Sequence, residues 1–268
     1  MDAKDLYDLI KSLIERFYRE AADNIEPNWE KIHIYHAWGG VELRGVYSSA
    51  CSDNNIIPIT YPEARIHNAK SPFSYVCEDA LKSDIKKKYD LTLIDEGQDF
   101  PYEFYQLCFR LSKSRRIVWA YDEFQNIFDT ELQDERETFG RDAKGEYFVD
   151  FTKKENENQD VILHCSYRCP RNILIAAFAL GMGIYGEKVL QRLGTNELWE
   201  SLGFKVEKGT CKTGDKMIIS RPLENTPSVV NEQFKDDCIQ WNEYKTFDEE
   251  CESVVKMIVN DVKEGEEI

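Results

Sequence analysis

This sequence lacks long apolar runs, and it lacks the cysteine and histidine spacing typical of disulfide or metal cross-links. Its 268 residues contain no stretch of 18 apolar residues and no signal peptide, so the sequence predicts no membrane span and no secretion, and we expect a cytoplasmic protein. The eight cysteines lack the spacing of a disulfide framework, which favours reduced thiols. The four histidines show no ligand-like spacing to the cysteines, which argues against a metal site built from these residues.

Positive charge is also scarce, because 34 lysines and arginines face 50 aspartates and glutamates. Residues 129–160 contain 5 basic and 11 acidic side chains, and residues 224–268 contain 4 and 13. Residues 161–223 are the basic exception, with 9 against 5. Phosphate affinity depends on local basic clusters more than on net charge. We therefore expect this chain alone to bind nucleic acid weakly.

An acidic pair follows a short apolar run in residues 91–99, Leu-Thr-Leu-Ile-Asp-Glu-Gly-Gln-Asp. The run reads as a buried strand that ends at Asp95 and Glu96, and Gln98 and Asp99 come next. Ligands of open α/β sheets collect at the C-terminal ends of the strands. Mg²⁺ binds one or two carboxylates together with phosphate oxygens, so Asp95 would hold Mg²⁺ and Glu96 would orient or deprotonate an attacking water. The alternative is a pair that only caps the next helix.

Two later segments repeat this pattern of a strand followed by polar residues. Residues 117–128, Ile-Val-Trp-Ala-Tyr-Asp-Glu-Phe-Gln-Asn-Ile-Phe, place Asp122 and then Gln125 after an apolar strand. Residues 161–168, Val-Ile-Leu-His-Cys-Ser-Tyr-Arg, predict a third strand that ends at Tyr167 and Arg168. Read alone, Tyr167 and Arg168 would more often be a strand-end pair that packs on a helix.

In this order the three segments resemble motifs II, III and IV of superfamily 1 helicases of the UvrD/PcrA/Rep type. The resemblance implies an α/β chain with a RecA-like P-loop NTPase fold, in two incomplete lobes whose mainly parallel sheets are flanked by helices. It also implies ATP and Mg²⁺ as cofactors and single-stranded DNA as a partner, with hydrolysis coupled to movement on that strand.

The resemblance assigns roles to individual residues. Asp95 matches the Mg²⁺ ligand, Glu96 the catalytic base, and Gln125 the glutamine that senses the γ-phosphate. Tyr167 matches the tyrosine that stacks on adenine, and Arg168 the arginine that reaches the γ-phosphate. An arginine and a metal that neutralise charge suit phosphoryl transfer, which depends on positioning more than on covalent chemistry. Gln98 is a further candidate for binding the cofactor.

Residues 32–40, Ile-His-Ile-Tyr-His-Ala-Trp-Gly-Gly, resemble the family's motif Ib, a strand that ends in a histidine and lines the path of single-stranded DNA. By this resemblance His36 and Trp38 are the candidate DNA contacts. The alternative for Trp38 is a packed turn beside the two glycines.

Departures from the family pattern are as informative as the matches. The phosphate-binding loop G-x-x-x-x-G-K-[ST] does not occur in residues 1–94. The nearest candidate, residues 209–216, has Asp215 where the lysine is required and lies between strand-like segments, so we reject it. Helicase motifs V and VI also have no counterpart. We therefore expect the middle of a helicase motor, which is not catalytic by itself.

The chain is expected to divide into a first RecA-like lobe over residues 1–128, an acidic inter-lobe loop over 129–160 and the start of a second lobe over 161–268. Apolar periodicity predicts helices over residues 5–17 and 248–263. Pro170 predicts the first turn of a helix over 171–180.

Two other functions remain open. One is a non-catalytic helicase-like interaction module that binds a protein partner in a DNA repair or genome-defence assembly. The other is an unrelated phosphohydrolase or nuclease built on the same acidic pair. It would need a further carboxylate and a lysine nearby, which Asp99 and Lys113 do not obviously supply. None of these readings includes a membrane partner.

Overall fold

A computed structural model of the chain describes residues 3–40, 43–122, 134–151, 161–184, 193–227 and 239–265. The chain divides into two compact units, Met1–Asn156 and Glu157–Ile268. Among the described residues no helix is both long enough and apolar enough to span a bilayer.

The described part of the first unit contains six α-helices and one parallel sheet. The helices are α1 (Ala3–Ala21), α2 (Val46–Asp53), α3 (Tyr61–His67), α4 (Pro72–Leu81), α5 (Tyr102–Leu111) and α6 (Glu135–Phe139). The strands are β1 (Thr92–Ile94) and β2 (Ile117–Trp119), and a 3₁₀ turn spans Gly97–Asp99. The helix expected over residues 5–17 is confirmed as part of α1.

Helices α4 and α5 form the centre of this unit, because each has an apolar stripe at helical spacing. Val76 and Cys77 on α4 face Leu107 and Cys108 on α5, and all four side chains are fully or almost fully buried. Helix α2 adds Tyr47, Ala50 and Cys51 to the same core. Burial raises the pKa of the Cys77 and Cys108 thiols, so these cysteines are packing residues and not reactive thiolates.

The sheet of β1 and β2 packs on this core with one face only. Parallel pairing places Leu93 opposite Val118 and Ile94 opposite Trp119. Ile94 is 6% exposed, whereas Leu93 is 71% and Val118 57% exposed. The sequence predicted a buried strand here, and the structure buries one face of it. Parallel sheets are normally covered on both faces, whereas among the described residues Leu93 and Val118 leave one face of this sheet exposed.

Residues 134–151, expected to be part of an inter-lobe loop, belong to the first unit and pack on its core. Asp134 caps α6 by accepting hydrogen bonds from the backbone N–H groups of Arg136 and Glu137. Its ion pair with the Arg136 guanidinium, at 2.7 Å, lowers the pKa of the Asp134 carboxyl to about 2. Phe139 is buried, and its ring lies 5.4 Å from that of Trp119. The acidic composition of this segment did not indicate that Phe139 and Phe151 pack on the unit.

The described part of the second unit contains α7 (Arg171–Gly181), α8 (Asn196–Ser201), β3 (Lys205–Lys208), β4 (Ile218–Ser220) and α9 (Phe247–Glu264). Its core is small and is formed by Met182, Trp199 and Phe204. The helices expected over residues 171–180 and 248–263 are confirmed as α7 and α9.

Three features differ from the sequence expectation. Strands β3 and β4 pair antiparallel, whereas mainly parallel sheets were expected in both lobes. Residues 161–166 do not form a strand, and Val161 and Leu163 are exposed. Residues 32–36 form no strand either, apart from one isolated bridge between His36 and Gly45. An apolar run becomes a strand only where a neighbouring strand can pair with it through hydrogen bonds. The RecA-like fold stays a prediction.

Candidate functional site

The acidic pair lies directly after β1, at the end of the sheet where its parallel strands terminate. Backbone hydrogen bonds between the two chain segments continue past the sheet. The Ala120 N–H donates to the Ile94 carbonyl at 2.9 Å, and the Gly97 N–H donates to the Ala120 carbonyl at 2.7 Å. Asp95 and Glu96 are both exposed. Glu96 adopts a left-handed backbone conformation with φ of 52°, which is uncommon for a residue with a side chain. This conformation turns the chain out of the strand and into the 3₁₀ turn.

Gln98 links the acidic turn to the loop that follows β2. Its Nε2 donates to Glu96 Oε2 at 2.7 Å, and its Oε1 accepts a hydrogen bond from the Asp122 backbone N–H at 2.9 Å. Gln98 is 6% exposed, so both ends of its amide are satisfied inside the protein. The amide therefore fixes the Glu96 carboxylate relative to the chain at Asp122.

A hydrogen bond between Tyr105 and Gly97 stabilises this turn from the protein interior. The Tyr105 hydroxyl donates to the Gly97 carbonyl at 2.8 Å, and burial raises the pKa of that hydroxyl well above its usual value, so Tyr105 stays a donor. A Cβ on residue 97 would lie 2.4 Å from the Tyr105 oxygen and 3.0 Å from the Ala120 carbonyl oxygen. Only glycine fits at this position.

Asp95 is the exposed oxygen ligand that a hard cation such as Mg²⁺ would require. Mg²⁺ commonly binds one or two carboxylates and takes its remaining ligands from phosphates and water. No group of three or more His, Cys, Asp or Glu side chains that could hold a metal occurs in the part of the chain that the structure describes.

The other predicted residues of the nucleotide site belong to the second unit or fall outside the described ranges. Gln125 falls within residues 123–133 and is outside the described residues. Tyr167 and Arg168 belong to the second unit, where both are exposed and Tyr167 is 73% exposed. The segment before them is held by the Ser166 N–H, which donates to the Asn225 carbonyl at 3.0 Å.

His36 and Trp38, the two candidate DNA contacts, have different surroundings. Trp38 is half-buried and stacks on Phe73 with ring centroids 5.4 Å apart, which agrees with the packed-turn alternative. His36 is exposed and lines a groove. The carbonyls of His36 and Trp38 accept hydrogen bonds from the backbone N–H groups of Val46 and Ser48 in the first turn of α2, so this stretch is fixed in place.

The same groove contains aromatic and basic residues that we did not single out in the sequence, among them Tyr7, Lys11, Trp29 and Arg44. They are spread over 38 positions of an acidic chain. The available signal was local: residues 29–36 place one tryptophan, one tyrosine and two histidines within eight positions.

Lys113 is not a partner of the acidic pair. Its ammonium forms an ion pair with Asp90 at 3.4 Å. Asp90 precedes β1, whereas Asp95 follows it, so the lysine lies at the opposite end of the strand. A nuclease centre that combines Asp95, Asp99 and Lys113 finds no support in this arrangement.

Comparison with known proteins adds no assignment, because no family model, curated protein or solved structure matches the chain.

We expect Gln98→Glu to destabilise the first unit at neutral pH by about 2 kcal/mol, because a second carboxylate replaces the donor to Glu96. Two carboxylates in contact raise the pKa of the pair in the folded state above its unfolded value. Stability is then present below that unfolded value and is lost as the pH rises through the raised pKa. The urea midpoint of the variant should therefore return most of the way to that of the unsubstituted chain at about pH 4, below the ordinary glutamate pKa of about 4.3, but not at pH 7.5.

Gln98→Ala is the matched control. It removes the same donor without adding a carboxylate, so its loss of stability should vary little with pH. A Gln98→Glu variant that is as stable as the unsubstituted chain at pH 7.5 would show that the contact between Gln98 and Glu96 does not hold the turn.

Proposed function

We propose that this chain is the central part of an ATP-dependent DNA helicase or translocase of the UvrD-like kind, which couples hydrolysis of ATP with Mg²⁺ to movement on single-stranded DNA in a complete, cytoplasmic motor. The observation that supports this most directly is the Gln98 amide, which joins the Glu96 carboxylate to the backbone at Asp122. It connects the two strand-end segments that the motif resemblance pairs. A cap for a helix would need no such link.

In this proposal each residue has one task. Asp95 holds the Mg²⁺ that arrives with the nucleotide, and Glu96 orients the attacking water through the oxygen that does not bind Gln98. When bound, the metal would neutralise negative charge on the phosphoryl group that the nucleotide transfers. By the resemblance, Tyr167 and Arg168 of the second unit contact the base and the γ-phosphate. Without a phosphate-binding loop the chain lacks donors that are commonly worth roughly 3–4 kcal/mol each in the transition state, so we expect binding without turnover.

A Mg²⁺-dependent titration with a fluorescent ATP analogue tests the proposal. Saturable binding is expected to weaken about tenfold in Asp95→Ala, the loss of one charged contact of roughly 1.4 kcal/mol, and to disappear when Tyr167→Ala is added. Asp90→Ala is the control, since Asp90 is an exposed carboxylate at the other end of the same strand. Binding that is independent of Mg²⁺, or equal in Asp95→Ala and Asp90→Ala, would contradict the proposed site.

A second function has one observation in its favour. The exposed sheet face of Leu93 and Val118 suits a non-catalytic helicase-like module that is covered by a protein partner in a DNA repair or genome-defence assembly. This alternative predicts no nucleotide binding at millimolar concentration.

A further inference from the structure

A cluster of basic residues lies at the edge of the first unit where β1 and β2 begin. Two segments form this cluster, residues 82–90 and 110–116, which together we call the basic edge. They contain eight of the 34 lysines and arginines of the chain, but only two of its 50 aspartates and glutamates. The basic edge is therefore a positively charged surface on a protein with a net charge of −16.

Backbone hydrogen bonds hold the two segments of the basic edge side by side. The Lys113 N–H donates to the Tyr89 carbonyl at 2.7 Å, and the Thr92 N–H donates to the Arg116 carbonyl at 3.0 Å. Tyr89 also forms an isolated parallel bridge with Ser112. Cations from two segments that are distant in sequence thus share one surface.

Several cations of the basic edge are available to an anionic partner. Within the described ranges Lys86, Lys87 and Arg116 form no ion pair, and all three are exposed. Arg115 is also exposed and forms no such pair, and its guanidinium carbon lies 4.1 Å from the centre of the Phe148 ring. This stacking holds a planar group whose N–H edges suit a carboxylate. The lysines of the edge that do form ion pairs have aspartate partners: Lys82 with Asp79, Lys88 with Asp53 and Lys113 with Asp90.

The surroundings of these cations favour a polypeptide partner over a nucleic acid. Asp84 and Asp90 are exposed among the cations and would meet the closely spaced phosphates of a nucleic acid. Tyr89 is the only aromatic residue of the two segments and is half-buried, so these segments present no exposed ring on which a base could stack. Leu91 and Leu93, which follow the edge, are 52% and 71% exposed. They offer apolar surface that a protein partner can bury.

We propose that the basic edge binds an acidic segment of a partner protein, in which carboxylate and apolar side chains are interspersed. The available lysines and arginines pair with the carboxylates, while Leu91 and Leu93 contact the apolar side chains. Single ion pairs at a protein surface contribute little, so binding requires several of them together with the apolar contact. The remaining acidic surface of the chain repels such a partner, which fixes the orientation of binding.

This proposal does not depend on nucleotide binding. The basic edge lies where β1 begins, whereas the acidic turn of residues 95–99 lies where β1 ends. The basic edge can therefore bind its partner in a helicase motor and in a non-catalytic module alike.

Fluorescence anisotropy with a labelled peptide tests the proposal. The probe is a peptide of about twenty residues in which leucines recur at helical spacing among glutamates, and its neutral counterpart has glutamine in place of each glutamate. The acidic peptide should bind, and Lys87→Gln/Arg116→Gln should weaken its binding about tenfold, or roughly 1.4 kcal/mol. Arg65→Gln/Lys70→Gln is the matched control, because it removes two exposed cations outside the basic edge. Both double variants should keep the urea midpoint of the unsubstituted chain.

The outcomes separate the proposal from its alternatives. Binding of the acidic peptide should weaken as salt is raised, because exposed charges are screened. Equal binding of the acidic and neutral peptides, equal binding by the two double variants, or no binding at millimolar peptide would overturn the proposal. An oligothymidylate that binds more tightly than the acidic peptide, and is lost in Lys87→Gln/Arg116→Gln, would identify a nucleic-acid surface instead. Asp95→Ala should leave peptide binding unchanged, so a failure of the proposed ATP site remains distinguishable.

Discussion

Arg221→Met is expected to destabilise the second unit by about 3 kcal/mol, because it removes the donors that hold that unit together. Arg221 is 3% exposed. Its Nη2 donates to the His164 carbonyl at 2.5 Å and to the Asn225 carbonyl at 2.9 Å, and its Nη1 donates to the Leu202 carbonyl. Its Nε donates to Thr226 Oγ1 at 3.2 Å. Methionine has a similar length but no donor, so the His164 and Leu202 carbonyls would lose this hydrogen bond inside the protein.

The same side chain also packs against the small core of this unit. The Arg221 guanidinium lies 4.9 Å from the centre of the Phe204 ring. Burial lowers its pKa, although the group stays charged. It also connects His164 to β4, so the segment before Tyr167 and Arg168 should loosen together with the core.

Hydrogen exchange read by mass spectrometry resolves this effect unit by unit. Peptides of the second unit should exchange faster in Arg221→Met, whereas peptides of the first unit should be unchanged. Arg221→Lys should retain part of the protection, since lysine keeps the charge and some of the donors. Lys208→Met, an exposed cation on β3, should alter stability by less than about 0.5 kcal/mol. Equal protection in Arg221→Met and Lys208→Met would refute the structural role of Arg221.

Gly97→Ala is expected to destabilise the first unit by about 2–3 kcal/mol, the cost of overpacking a filled site. The added methyl group would lie 2.4 Å from the Tyr105 oxygen and 3.0 Å from the Ala120 carbonyl oxygen. The Ala120 carbonyl belongs to the backbone that follows β2 and cannot move without breaking its bond to the Gly97 N–H. The turn that positions Glu96 must therefore shift, and nucleotide binding should weaken with it.

Gly40→Ala is the control for this substitution, because a Cβ on residue 40 meets no atom within 4 Å. Urea unfolding should show a lower midpoint for Gly97→Ala and an unchanged one for Gly40→Ala. Similar midpoints for the two variants would mean that the turn accommodates a side chain.

The sequence was most informative where local chemistry is sufficient to specify structure. Helices α1, α7 and α9 follow from apolar periodicity and from Pro170 at the start of α7. The strand at Thr92–Ile94 and the strand at Ile117–Trp119 were also predicted, and they pair parallel as neighbours. The polar residues after these strands were recognised for the same reason, since residue type and order are read directly from the sequence.

The sequence was misleading where the structure of a segment depends on distant residues that pair or pack with it. Residues 32–36 and 161–166 have the composition of strands but form no sheet. Residues 134–151 are acidic enough to predict a loop, yet Phe139 and Phe151 pack on Trp119. A few aromatic contacts outweigh an exposed acidic surface, because burying an aromatic side chain contributes free energy that solvated charges do not oppose.

By itself the sequence determined the acidic strand end, its order relative to the later motifs and the missing phosphate-binding loop. Only the tertiary structure decided that Gln98 bonds both Glu96 and the chain at Asp122, that Trp38 packs while His36 lines a groove, and that Lys11 and Arg44 line the same groove. The reason is physical. A motif is a property of neighbouring residues, whereas a hydrogen bond across 24 positions or a basic groove in an acidic protein exists only once distant segments are brought together.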